Sequence, residues 1–154
     1  MKFIFKSVSL LFAFLSLASV GFASGLEIES AWVRMPPPVS DTAAGYMVIK
    51  NTSEQKTFVE SISSSVSEST EFHSMVIHEG MMHMNKMENV VIKPGESLVF
   101  DVGGNHLMLI DLKKVLRAGD KVTFTIKTRD NIAYEMDAEV RDMRKKSESM
   151  HHHH

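Results

Sequence analysis

His106–Leu112 reads HLMLIDL. Successive side chains of a β-strand point to opposite faces, so residues two apart share one. Leu107 and Leu109 therefore fall together, and His106 and Met108 fall together on the other side. If the leucines face a core, the histidine and methionine are exposed or partly exposed. The segment predicts a strand, and it also sets an imidazole beside a thioether where core filling does not account for either.

The same kind of pattern recurs on both sides of it. IESAWVR, GYMVIKN, KTFVESI, TEFHSMVI and SLVFDV precede it, and KVTFTIKT and IAYEMDAEV follow; all are short and rich in Val, Ile, Phe and Thr. Turn formers separate them: the prolines Pro36–Pro38, Asn51-Thr52-Ser53, Glu79-Gly80, Pro94-Gly95, Gly103-Gly104, Ala118-Gly119-Asp120 and Arg129-Asp130-Asn131. Many short strands at this spacing predict an all-β, single-domain antiparallel sandwich over residues 24–141, without repeat or internal linker. Trp32 is expected in its core.

The two ends read differently. Residues 1–23 begin with Lys2 and Lys6, run apolar from Val8 to Val20 and finish in small residues around Ala23. A basic start, a short apolar centre and small residues predict a secretory signal peptide cleaved after Ala23, and hence an exported, periplasmic protein. With no cysteine in the sequence, a lipid anchor, a disulfide and thiol chemistry are not expected. Removal of the leader takes the formal charge from −2 to −4. A mildly acidic, exported chain without basic clusters is a poor candidate for nucleic acid, and no second apolar run suggests a membrane anchor in the mature protein. Residues 142–154, RKKSESMHHHH at their end, lose the strand pattern and are expected to form a flexible Met/His-containing tail. Its four histidines read as a metal-binding end or as the remains of a purification tag.

Methionine and histidine are concentrated in one window. Of twelve methionines, six lie between Met75 and Met108, and His73, His78, His83 and His106 fall in the same stretch. Singly, each is most simply a gap filler or a surface imidazole. As a group they form three pairs two apart: His73 with Met75, Met82 with Met84, and His106 with Met108. Three such pairs on neighbouring strands can converge. Neutral imidazole and neutral thioether together suit copper, and with no negative charge they favour Cu(I) over a dication. Zinc prefers thiolate, imidazole and carboxylate, calcium and magnesium prefer oxygen, and a blue-copper electron-transfer site needs a cysteine. The pattern predicts a site that holds and releases copper. No nucleophile–base pair or His-Glu-x-x-His motif points to an enzyme.

Ten residues separate His73 from Met84, twenty-one separate Met84 from His106, and His106-Leu107-Met108 closes the pattern. In this the sequence resembles the periplasmic copper A chaperone family, PCuAC, whose hallmark is His-x10-Met-x21-His-x-Met. AWVRMPPPVSDTAAGYMVIKN and IKPGESLVFDVGGNHLMLIDLKKVLRAGDKVTFTI are similar to further segments of that family. Val102 and Asn105 depart from its usual proline and aromatic. The resemblance implies a cupredoxin-like β-sandwich, most simply a monomer, that binds one Cu(I) through His73, Met84, His106 and Met108. It also implies delivery towards the CuA centre of cytochrome c oxidase, either directly to the CuA subunit or through another copper chaperone. Some relatives use a Met/His-rich extension for Cu(II), a role that Met150–His154 would suit.

Around those four, Met75 and Met82 are expected to line the site, with Met75 a spare ligand. His78, Met81, His83 and Met87 are expected at the surface or just behind it. Glu71 and Asp111 read as solvated carboxylates unless one orients a ligand imidazole through its second nitrogen. The alternatives to a chaperone are copper buffering or resistance without a dedicated recipient, and a purely adhesive sandwich with methionine as its contact patch.

Overall fold

The computed structural model of the chain describes residues 25–144. The leader, its cleavage after Ala23 and the tail's Met150–His154 lie outside the described residues. Ten strands follow one another: β1 (Leu26–Arg34), β2 (Ala43–Asn51), β3 (Thr57–Ser64), β4 (Ser67–His78), β5 (Met81–Lys86), β6 (Val90–Ile92), β7 (Ser97–Phe100), β8 (His106–Leu112), β9 (Lys121–Thr128) and β10 (Ala133–Arg141). They hydrogen-bond in the order β5-β4-β8-β2-β1-β10-β9-β3-β6, with β7 paired to β2.

The sheet is antiparallel except at one seam, where β1 and β10 run parallel, Arg34 beside Arg141. Two halves meet at this seam and pack face to face. Leu107, Leu109 and Ile49 from one half and Val122, Phe124 and Ile126 from the other are almost wholly buried. Alternation produces this interior: each of these strands contributes every second residue inward. Gly45 on β2 sets the closest approach. A Cβ there would stand 3.1 Å from the Phe124 ring and 3.3 Å from Leu107 and Leu109, so only glycine lets the layers close without a shift.

Asn51, wholly buried at the end of β2, secures one end of the sandwich. Its Nδ2 donates to the carbonyls of Gln55 (2.7 Å) and Ile92 (2.8 Å), and its Oδ1 accepts from Ser53 N (2.9 Å) and Ser53 Oγ (2.7 Å). Both protons and both lone-pair directions of the amide are thereby used.

The three-residue β6 has no counterpart in the sequence reading, and the segment after Gly80, open there between a loop and a short strand, is the strand β5. Trp32 is also placed differently from expectation. Val33 takes the core position, and alternation turns Trp32 to the outer face, where it stacks on Tyr46 at 4.5 Å under the Arg141 guanidinium. Met87, expected at the surface or just behind it, is partly buried and packs against the core.

Candidate metal centre

The outer face of β2, β8, β4 and β5 can be read from its register. Ala44 lies opposite Met108, which lies opposite Glu71; His106 lies opposite His73, which lies opposite Lys86; and Met75 lies opposite Met84. Residues directly opposite in an antiparallel pair share a face. His73, Met75, Met84, His106 and Met108 therefore project from one side of three adjacent strands, while Phe72, Leu107 and Leu109 project into the core. Five of the six residues of the three expected pairs come together because β5, β4 and β8 are neighbours; Met82 does not join them.

This face carries an open hollow of about 410 Å³. Met75, Met84, His106 and Met108 line it, with Arg34, Tyr46 and Asp101 on its other walls. Burial pushes the Tyr46 phenol above its ordinary range. His73 stands at the edge of the hollow, its ring 5.8 Å from that of His106. Met84 is more than half exposed on the outermost strand, whereas His106, although on the outer face, is almost covered.

Both imidazoles are held by one nitrogen. His73 Nε2 donates to Glu71 Oε2 at 2.9 Å, and Lys86 Nζ holds the other carboxylate oxygen at 2.7 Å. His106 Nδ1 donates to the Gly104 carbonyl at 3.2 Å, in the loop before β8. Lys86 first, and His73 second, hold the Glu71 carboxyl below the usual carboxylate range, and Glu71 in turn raises the Lys86 ammonium. Glu71 is therefore the carboxylate that orients a ring through its second nitrogen; the signal was its position two residues before His73 on the same strand. The opposite nitrogens, His73 Nδ1 and His106 Nε2, make no hydrogen bond. His73 Nδ1 is the single buried side-chain nitrogen or oxygen among the described residues without a partner.

A buried polar atom without a partner is costly, and a metal ion is one way to satisfy it. Among the described residues no three His, Cys, Asp or Glu side chains are grouped to hold a metal. A metal on this face would have to draw on methionine sulfur. Met82 shares the face but lies further out, opposite Ile77. His83 and Met81 alternate to the reverse side of β5, and Asp111 shares no hydrogen bond with either ring.

The chain matches the family model LpqE-like over residues 26–140. It is 30% identical over 121 residues to Lxx21020 of Leifsonia xyli subsp. xyli (strain CTCB07), a protein described by name as a lipoprotein, across 78% of this chain and 72% of the relative. Among solved structures it is similar to the Cu(I) form of DR1885 from Deinococcus radiodurans, with 25% identity, a TM-score of 0.64 and coverage of 82% of this chain and 84% of that one. It is also similar to the copper-bound PCuAC domain of PmoF2, with 21% identity, a TM-score of 0.65 and coverage of 79% and 97%. The nearly all-β single domain has the cupredoxin-like fold of PCuAC domains.

Proposed function

The chain belongs to the LpqE-like family, and from that premise we propose that it is a copper chaperone carrying one Cu(I) ion through His73, Met84, His106 and Met108. The single observation that carries this reading is the pair of half-anchored imidazoles. Glu71 and the Gly104 carbonyl occupy one nitrogen of each ring and leave the other free on the face that bears the two thioethers. The resulting donor set, two nitrogens and two sulfurs, is neutral and soft, which suits a monocation.

The exposure of the donors suggests the order of release. Met84 sits on an exposed edge strand, while His106 is covered. An incoming sulfur or imidazole of a recipient reaches the ion from the β5 side and displaces Met84 first, with the histidines released last. The chain acts as an exported, periplasmic binding protein, without enzymatic chemistry, after cleavage near Ala23. Its recipient, by resemblance, is the CuA centre of cytochrome c oxidase or a chaperone on the way to it.

Competition titration with a Cu(I) chelator tests the site. The Met84→Ala, Met108→Ala double variant should lose Cu(I) affinity by at least about a hundredfold. X-ray absorption of the loaded protein at one equivalent should count two sulfur and two nitrogen neighbours. Unchanged affinity in the double variant sinks the assignment. For delivery, deletion should lower oxidase activity in a way that added copper restores; copper sensitivity with normal oxidase activity would point to buffering instead.

A further inference from the structure

β5 is exposed along its whole length, on both faces. Core filling therefore explains none of its methionines. Alternation sends Met82 and Met84 towards the hollow and Met81 and His83 to the reverse side. The turn fixes what they meet there. Glu79 (φ 51°) and Gly80 (φ 77°) both lie in the left-handed region, the signature of a two-residue type I′ hairpin. This turn sets His78 opposite Met81 and Val76 opposite His83. On the reverse face His78, Met81 and His83 thus form one compact group at the tip of the hairpin.

The two rings stand 6.4 Å apart, centre to centre, and nearly perpendicular at 77°. An imidazole nitrogen lies about 2.0–2.1 Å from a bound metal and roughly 1.2 Å from its own ring centre, so two rings gripping one ion from opposite sides have centres about 6.4 Å apart. Neither imidazole makes a hydrogen bond or ion pair to another side chain that would compete. Met81 is about 60% exposed and sits across from His78, where a flexible thioether three bonds long can turn to the same point.

We propose that His78, His83 and Met81 form a second Cu(I) site, back to back with the first on the β4–β5 hairpin. The ion's identity rests on the proposed function; the site does not depend on the hollow's ligands. The two rings would supply a pair of nitrogens, at a ring separation that suits one ion between them, and Met81 a third, sulfur donor. All three donors are neutral, as in the hollow, so the same soft monocation is favoured. Because the whole group is exposed, this ion is held more loosely and exchanges faster than the one in the hollow.

The test is a Cu(I) titration of the full mature chain, of its His78→Ala, His83→Ala variant and of the Met84→Ala, Met108→Ala variant, with imidazole nitrogen NMR in parallel. Any copper taken by the tail is common to all three. The hairpin variant should bind one equivalent fewer than the parent while retaining the tighter one. The hollow variant should lose the tighter equivalent and keep the hairpin one, with the His78 and His83 nitrogens shifting as it fills. Equal stoichiometry in the parent and the hairpin variant, or unmoved His78 and His83 signals at saturation, overturns the proposal. A hollow variant that keeps every equivalent overturns the first site alone.

Discussion

Asn51 and His73 are both polar side chains set into the same sheet, and they are treated in opposite ways. Asn51 has a partner for every proton and lone pair of its amide. His73 has a partner for one ring nitrogen and none for the other. A fully satisfied buried group holds the fold together, because its removal takes a hydrogen bond from every partner at once, the buried Ile92 carbonyl included. A half-satisfied one is a cost the fold carries, and it identifies the atom left free for something that arrives later.

The difference can be broken from either side. The largest effect is expected at Asn51→Ala, which removes the hydrogen bonds to the buried Ile92 carbonyl and from the Ser53 amide, while the Gln55 carbonyl keeps Ser53 Oγ. Stability to urea should fall by about 2–4 kcal/mol, with Cu(I) affinity of the folded protein unchanged. His73→Ala should do the reverse. Its unfolding free energy should stay within about 1 kcal/mol of the parent, while Cu(I) affinity drops about a hundredfold. Loss of stability without loss of affinity in that variant would erase the distinction. Glu71→Gln sharpens it: glutamine still accepts from His73 Nε2 but gives up its charge. Cu(I) affinity should fall about tenfold, the low end for a group behind a ligand, and stability should move by less than about 1 kcal/mol, as for an exposed ion pair. The smallest effect is expected at the turn that carries Met84 and His83. Glu79→Asn suits a left-handed first turn position better, and should slow amide exchange in the hairpin by an amount equivalent to about 0.5 kcal/mol.

The strands that cover the core were legible because alternation has a cause there. In HLMLIDL, Leu107 and Leu109 are driven inward by burial, and the facing of His106 and Met108 follows from them. MMHMNK at Met81–Lys86 offers no such handle: with both faces in solvent, no apolar period marks it as a strand, and its pairing is imposed by the Glu79-Gly80 turn. Val90–Ile92 is too short to show a period at all. Trp32 was misread for a related reason, since bulk suggests burial but Val33 holds the inward position and parity leaves the indole outside. The parallel seam between β1 and β10 joins residues more than a hundred positions apart, which no local pattern can encode. In the candidate centre, the soft donors and their spacing were legible and Glu71, two residues before His73, was one of two carboxylates open to the orienting role; the choice between Glu71 and Asp111, and the Gly104 carbonyl behind His106, depend on side-chain and loop geometry that spacing does not carry.

That parallel seam also decides how the domain would be presented. β1 ends at Arg34, on the wall of the hollow, and begins at Leu26, beside Asn51. At about 3.3 Å per residue, the two ends of the strand are roughly 25 Å apart. Because β10 runs alongside in the same direction, the chain leaves from Arg141 next to Arg34, at the hollow's end. Anything tethering the domain by its front would thus grip the pole far from the hollow, leaving the hollow's end turned outward.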